Sequence, residues 1–324
     1  MNPTSTASPS PPRPEHPTFY GPRGRSAWLD VDWREHQRWV LVDGEPVNVI
    51  ELGPLEDPAH PSAHPEQSLP LVFVHGLSGS WPNWLEQLPV LAATGRRVIA
   101  MDLPGFGHSP MPSWPISISA YAGLLDRLLD VLTIDAAVLV GNSMGGFISA
   151  ELAISFPERV ERLVLVSAAG ISTYDNRGAL RALPVLRRTE RILTAYTAWM
   201  ASKSDTVARR ARLREATLNV VTRHPSRLPA ALAAEQLRGS GKPGFMQALE
   251  ANLNYDFRER LPEIACPTLI VWGAEDRLIN ARDARVFAEL IPDSRIIMYE
   301  DTGHMSMLER PEAFNALLEE FLAE

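Results

Sequence analysis

The stretch Leu139-Val-Gly-Asn-Ser-Met-Gly-Gly-Phe147 leaves the backbone few options. A short apolar run, Ala136 to Val140, enters it, and an apolar-periodic segment, Phe147 to Phe156, leaves it. That pattern reads as strand, tight turn and helix, with Ser143 at the tip of the turn. Gly141 and Gly145 flank the serine at the spacing G-x-S-x-G. A turn this tight would drive a Cβ at either position into neighbouring backbone, and the serine takes a strained conformation. Its hydroxyl then stands clear of the sheet. The helix behind it points its free N–H groups and the positive end of its dipole at any oxyanion that forms there.

The surrounding chain repeats the strand–helix alternation. Pro70-Leu-Val-Phe-Val-His-Gly76 reads as a buried strand entering a glycine-containing loop. A helical pattern follows from Trp81 to Ala93, then the strand Arg97-Val-Ile-Ala-Met-Asp102 and an amphipathic helix from Ile118 to Leu132. After the Ser143 helix comes the strand Arg162-Leu-Val-Leu-Val-Ser167. The same rhythm returns at Cys266-Pro-Thr-Leu-Ile-Val-Trp-Gly273, with a helix from Ala281 to Leu290, a strand from Arg295 to Tyr299 and a helix from Pro311 to Leu322. Alternation of this kind predicts an α/β fold with a mostly parallel sheet covered on both faces. Ahead of it, Arg38–Val42 and Val47–Leu52 around Asp43-Gly44 predict a β-hairpin.

Two regions break the rhythm. Residues 1–30 are expected to form a proline-rich, disordered or loosely packed tail. Residues 176–255 show no strand pattern but several helical ones, Arg187–Met200, Ser204–Val221 and Leu228–Leu237, punctuated by Pro184, Pro225, Pro229 and Pro243. They read as a helical insertion between two strands of one sheet, with the core made from residues 31–175 and 256–324. From Arg177 to Arg238 the insertion carries thirteen basic residues against four acidic ones, although the whole chain has a net charge of −8. A solvated helix face is the plainer reading of that excess; a lid attracting acidic substrate is the sharper one.

The 324 residues are 45% hydrophobic, enough for one large domain with an insertion. No apolar run is long enough to span a membrane, and Cys266 is the only cysteine, so no disulfide forms within the chain. The N-terminus lacks the charged-then-apolar pattern of a secretory signal. The expectation is a soluble, cytoplasmic protein without stable membrane insertion and without a nucleic-acid partner. Monomer and homodimer are both left open. His60 and His64 stand four apart in a proline-rich loop, Gly53 to Leu69, with no third ligand at a fixed spacing, so no metal is expected.

A serine hydroxyl is a weak nucleophile and needs a base, usually a histidine oriented by a buried carboxylate. Both must lie on loops at the carboxyl ends of strands, where Ser143 stands. Asp276, in Val271-Trp-Gly-Ala-Glu-Asp-Arg277, follows one strand, and His304, in Asp301-Thr-Gly-His304, follows the last. The order Ser, Asp, His is one of the known arrangements of a triad. Asp276 is preferred to Glu275 and Asp301, and His304 to His75, His108 and His224. An oxyanion hole needs two converging main-chain N–H groups; Met144 and Leu77, in the loop His75-Gly-Leu-Ser-Gly79, are the candidates. Gly76, Trp81, Phe106, Phe147 and Trp272 are candidates for lining an apolar substrate pocket, although each suits plain core as well.

His75-Gly76, Asp102-Leu-Pro-Gly-Phe-Gly-His-Ser109, Gly-Asn-Ser-Met-Gly-Gly146, Trp272-Gly-Ala-Glu-Asp-Arg277 and Gly303-His304 together resemble the α/β-hydrolase superfamily, over roughly residues 38 to 323. The resemblance implies an eight-stranded sheet, a helical cap at 176–255 over the active site, and no cofactor. It points to the serine branch rather than to dehalogenases and epoxide hydrolases, which use an aspartate nucleophile. Within that branch, carboxylesterases, monoacylglycerol-lipase-like enzymes, lactonases and carbon–carbon hydrolases of aromatic ring-fission products share Gly-Asn-Ser-Met-Gly-Gly. The last group has a Gly-Pro-Gly type loop after its His-Gly, where this chain has Leu77-Ser-Gly-Ser80. The reading that follows is a serine hydrolase of a small-to-medium apolar carboxylic ester. Carbon–carbon and lactone hydrolysis are the alternatives, and a ligand-binding receptor on the same fold is a more distant one.

Overall fold

The computed structural model describes residues 19–54, 69–176, 199 and 201–324. The proline-rich stretch 1–18, His60 and His64, and most of the expected helix Arg187–Met200 lie outside these residues.

Eight strands form one sheet: β1 (Gln37–Val42), β2 (Glu45–Leu52), β3 (Leu71–Val74), β4 (Val98–Met101), β5 (Ala137–Asn142), β6 (Val160–Val166), β7 (Thr268–Gly273) and β8 (Ser294–Tyr299). Their spatial order is β1-β2-β4-β3-β5-β6-β7-β8. The β1–β2 hairpin pairs antiparallel with itself and with β4, and every other pairing is parallel. Asp43 and Gly44 turn the hairpin with φ of 52° and 84°, the left-handed pair that a two-residue turn of this twist demands.

Side chains alternate across the sheet as the pleat requires. Val72, Val74, Ile99, Met101, Leu139 and Ile270 enter one core, against the helices α2 (Ile118–Val131), α3 (Met144–Ser155) and α8 (Asp283–Leu290). Leu71, Phe73, Val98, Val138, Val140 and Leu269 enter the other, against α1 (Leu88–Ala92) and α9 (Pro311–Ala323). The central strands are buried on both faces, so they carry continuous apolar runs.

Strand order reverses between β3 and β5: the chain steps from β3 to β4 on one side, then crosses to β5 on the other. The carboxyl ends of β3 and β5 therefore flank the crevice where open α/β sheets bind ligands. His75-Gly76-Leu77 follows β3, and Ser143 follows β5.

Between β6 and β7 the chain forms α4 (Ser204–Ala208), α5 (Ala211–Leu218), α6 (Ala230–Arg238) and α7 (Phe245–Asn254). Val207, Leu218, Ala233 and Leu237 give this insertion a small core of its own. It sits on the loops at the carboxyl edge of the sheet. Gly244 N–H donates to the Gly105 carbonyl at 3.0 Å, and Gln236 joins Asn83 at 2.5 Å.

The N-terminal segment departs from expectation. Within residues 19–30, read from sequence as part of a loose tail, Gly21, Ser26 and Trp28 are buried while most of the others stay exposed. Trp28 is buried, and its indole and the Ser26 hydroxyl donate to Glu86 at 2.9 and 2.8 Å. The prolines run out at Pro22, and a large aromatic beyond them supplies enough apolar surface to hold the segment down. Among the described residues, no helix is long and apolar enough to cross a membrane.

Candidate active site

Ser143 occupies φ 56° and ψ −119°, a conformation few residues other than glycine adopt. It is pinned from both sides. Its N–H donates to Val166 carbonyl at 2.9 Å, while its carbonyl accepts from Phe147 N–H at 3.1 Å and Ala169 N–H at 3.0 Å. The glycines around it are sterically required. A Cβ on Gly141 would run into the Gly145 carbonyl, and one on Gly145 into the Val74 carbonyl. A Cβ on Gly76 would stand 2.9 Å from the Ser143 Cβ, which places the loop after β3 directly beside the serine. Met144 opens α3, and the first amides of a helix have no partner within it.

His304 and Asp276 are brought together. His304 Nδ1 lies 2.8 Å from Asp276 Oδ2, and both side chains are buried. The other carboxylate oxygen, Oδ1, accepts from Leu278 N–H at 2.8 Å and Ile279 N–H at 3.0 Å, so the aspartate cannot swing away. With Nδ1–H committed to Asp276, the ring's Nε2 is left as the basic nitrogen. Glu275 instead accepts from Thr302 N–H at 2.9 Å, and Asp301 lies 2.6 Å from His224 Nε2. Neither competes for His304. Asn142, beside the serine, donates from its amide to Val166 carbonyl at 3.1 Å and His304 carbonyl at 3.4 Å, so the serine turn and the histidine turn share a strut.

His75 has a different place. It is wholly buried, and its Nε2 accepts from Leu103 N–H at 3.0 Å, so the proton sits on Nδ1, which donates to Gly76 carbonyl at 2.8 Å. Gly79 N–H donates to the same carbonyl at 2.9 Å. In a trans peptide the carbonyl and the next N–H point opposite ways, so fixing Gly76 C=O fixes Leu77 N–H. Burial lowers the pKa of His75 and keeps it neutral. Asp102 anchors the neighbouring loop, accepting from Trp81 N–H, Asn48 Nδ2 and His108 N–H, each at 2.8 Å. The His108 ring itself is exposed.

The aromatic residues expected near substrate take these positions. Phe147 packs on Phe257, with ring centroids 4.3 Å apart, and Trp272 on Phe287 at 6.1 Å. Phe106 stands edge-on to His75 at 5.7 Å. All three are fully buried in the main core, whereas half-buried Trp81 packs against Trp33 at 4.8 Å. A groove of about 670 Å³ runs between the 112–119 loop and α7, lined by Trp114, Ile116, Gln247, Glu250 and Tyr255 among others. Ser143, Asp276 and His304 do not line it. Reasoning from sequence missed Asn142, Glu309 and Tyr20, whose contacts to the site come from segments far apart in the chain. Among the described residues, no cluster of three or more His, Cys, Asp or Glu side chains is arranged to hold a metal ion.

Known proteins align with this arrangement. The family model for the alpha/beta hydrolase fold matches residues 70–311. The 2-hydroxy-6-oxo-2,4-heptadienoate hydrolase of Pseudomonas putida is 31% identical over 309 residues, covering 88% of this chain and 96% of that protein. The dihydrolipoyllysine-residue acetyltransferase component of the acetoin cleaving system of Cupriavidus necator is 32% identical over 255 residues. That match takes in 78% of this chain, which spans only 63% of that protein's length. Among solved structures, the enol-lactonase from Burkholderia xenovorans LB400 superposes with a TM-score of 0.65 at 24% identity, covering 89% of this chain and 100% of that one, a likeness of fold. The strand order, the strained serine turn and the family match over most of the chain agree, and this chain belongs to the α/β-hydrolase fold family, as a hydrolase.

Proposed function

We propose that this protein hydrolyses a small-to-medium, largely apolar carboxylic ester through an acyl-enzyme on Ser143. His304 takes the serine proton as Oγ attacks the carbonyl, then gives it to the leaving alkoxide. Asp276 fixes the tautomer and stabilises the imidazolium. The N–H groups of Leu77 and Met144 hold the oxyanion, the first aimed by the peptide that His75 clamps. Water activated by His304 then releases the acid. Residues 176–255 act as a cap that excludes bulk water and shapes the pocket. The observation that carries the reading is the pairing of a strained Ser143 at a helix start with a His304 held at 2.8 Å by Asp276.

A second reading, cleavage of a carbon–carbon bond in a ring-fission product, is favoured by the similarity to the heptadienoate hydrolase. Such a substrate carries a carboxylate and needs a cation to receive it. Several cap arginines are engaged within the protein, while Arg209, Arg210 and Arg212 are exposed. Arg214 donates to the carbonyls of Pro225, Ala208 and Ser226; Arg238 pairs with Asp205 and Glu235; Arg223 and Arg227 face Asp301. That engagement supports the neutral ester first. The compartment we propose is the cytoplasm, where Cys266, a free thiol pushed up to about 11 by burial, stays unreactive.

The test is hydrolysis of p-nitrophenyl esters of increasing acyl length, alongside lactones and ring-fission dienoates, by wild type and Ser143→Ala. Ester turnover that vanishes in the variant, with dienoates slower, supports the proposal. Folded wild type that ignores every ester and turns over a dienoate sinks it in favour of the second reading.

A further inference from the structure

The turn that carries His304 is held by a side chain outside the Ser143–Asp276–His304 set. Glu309 ends the single helical turn Ser306–Glu309 and is fully buried. Its carboxylate accepts from Gly303 N–H at 3.0 Å and Met305 N–H at 3.3 Å, the two amides that flank His304. It also accepts from Arg223 N–H and from the Tyr20 hydroxyl, each at 2.8 Å. The amide of His304 itself, together with that of Met305, donates to the Val221 carbonyl at 3.1 Å. Three consecutive amides of the histidine turn are thus anchored, and their acceptors are bound to, or part of, the segment Val221–Arg223 of the insertion. Gly303 is where the segments crowd: a Cβ there would stand 2.9 Å from Arg223 N and 3.1 Å from Glu309 Oε1.

Tyr20 closes the ring of contacts. Its phenolic oxygen accepts His224 N–H at 2.7 Å while its hydroxyl proton goes to Glu309. The guanidinium carbons of Arg227 and Arg310 lie 4.9 and 5.0 Å from its ring centroid. The N-terminal segment is fastened a second time, by Gly21 N–H to the Glu309 carbonyl at 2.7 Å. A buried carboxylate is costly unless its lone pairs are filled. Here burial raises the Glu309 pKa, and three main-chain N–H groups with one phenol oppose the rise. An apolar side chain would seal the same space without that cost, but it cannot accept from three separate chain segments at once.

We propose that Glu309 is a positioning residue for His304. It locks the histidine turn to the cap segment 221–224 and to Tyr20, so the imidazole meets Asp276 and Ser143 squarely only when both segments are seated. This rests on the serine-hydrolase reading for the role of His304, and not on the identity of the ester.

The test uses the full chain carrying Glu309→Gln or Tyr20→Phe. The first keeps the shape but turns one acceptor oxygen into an amide donor facing N–H groups. The second removes one hydroxyl. Two readouts are taken: steady-state kinetics on the best p-nitrophenyl ester, and the low-field proton resonance of His304 Nδ1–H in its bond to Asp276, assigned by its loss in Asp276→Asn. For Glu309→Gln, kcat is expected to fall about 10- to 100-fold with KM within about threefold, as misplacement of a catalytic group by a fraction of an ångström does. The resonance shifts or disappears, and Tyr20→Phe changes both readouts in the same direction but less. A folded Glu309→Gln with wild-type kcat and an unmoved resonance overturns the proposal. Should Glu309→Gln fail to fold, a Tyr20→Phe protein identical to wild type in both readouts overturns it equally. If wild type hydrolyses no ester, the substrate assignment fails, while the resonance still decides the role of Glu309.

Discussion

At Ser143 a backbone conformation costing about 1–3 kcal/mol is held by three main-chain hydrogen bonds and by glycines that let the chain pass close. Gly145→Ala therefore cannot be absorbed by a rotamer change, because the new methyl meets the Val74 carbonyl. The variant should lose activity and fold poorly, which thermal unfolding beside wild type would show. Asp276→Asn presents an amide to His304 and favours the wrong tautomer; kcat should drop about 10³- to 10⁴-fold with the fold intact. His75 yields a pH-dependent prediction. Burial holds its folded-state pKa below the unfolded value of 6.5, so its contribution to stability is complete above that pH and shrinks as pH falls. Denaturant titrations of wild type and His75→Gln should differ most near pH 8 and converge toward pH 5; a gap that widens on acidification would refute the neutral, clamped histidine. Ser143 and its glycines were legible because the constraint lies within five consecutive residues. Glu309 was not, since the carboxylate it resembles in sequence is an ordinary helix-end charge, and one of its partners lies 289 residues away.

Among elements, the strands were read closely, because buried parallel strands write themselves as apolar runs. The insertion was read less well. One helix was expected over Ser204–Val221, but α4 ends at Ala208 and α5 begins at Ala211, with Arg210 extended at φ −106° and ψ 109°. The guanidinium of Arg214 reaches back to the Ala208 carbonyl, which a continuous helix would have paired internally, and on to the Pro225 and Ser226 carbonyls of the next turn. Apolar periodicity carries no trace of such a side chain. Arg214→Ala takes the side-chain donor from the buried Ala208 carbonyl and should cost roughly 1–3 kcal/mol of local stability. Hydrogen exchange should rise across 204–238 while the sheet stays protected. Uniform exchange in both proteins would show that Arg214 does not organise the insertion.

Across the whole molecule, the insertion and the core are joined on both sides of the site. Tyr255 O–H, at the end of the insertion, donates to Glu151 on α3, the nucleophile's own helix, at 2.8 Å, while Val221 and Arg223 grip the histidine turn. The insertion's excess of basic residues is the sharpest electrostatic feature of the chain, and several of its arginines are neutralised by carboxylates or buried on carbonyls. Hydrolysis of a neutral ester should therefore change by less than about twofold in kcat/KM between low and high salt; a steep decline would point to an anionic substrate steered by the cap. The central claim is the acyl-enzyme on Ser143, and intact-protein mass spectrometry of enzyme quenched during turnover of a p-nitrophenyl ester tests it most directly. The predicted result is a mass increase equal to the acyl group, mapped to the peptide containing Ser143 and absent from Ser143→Ala. Turnover with the adduct on another residue, or undiminished turnover by Ser143→Ala, would contradict it.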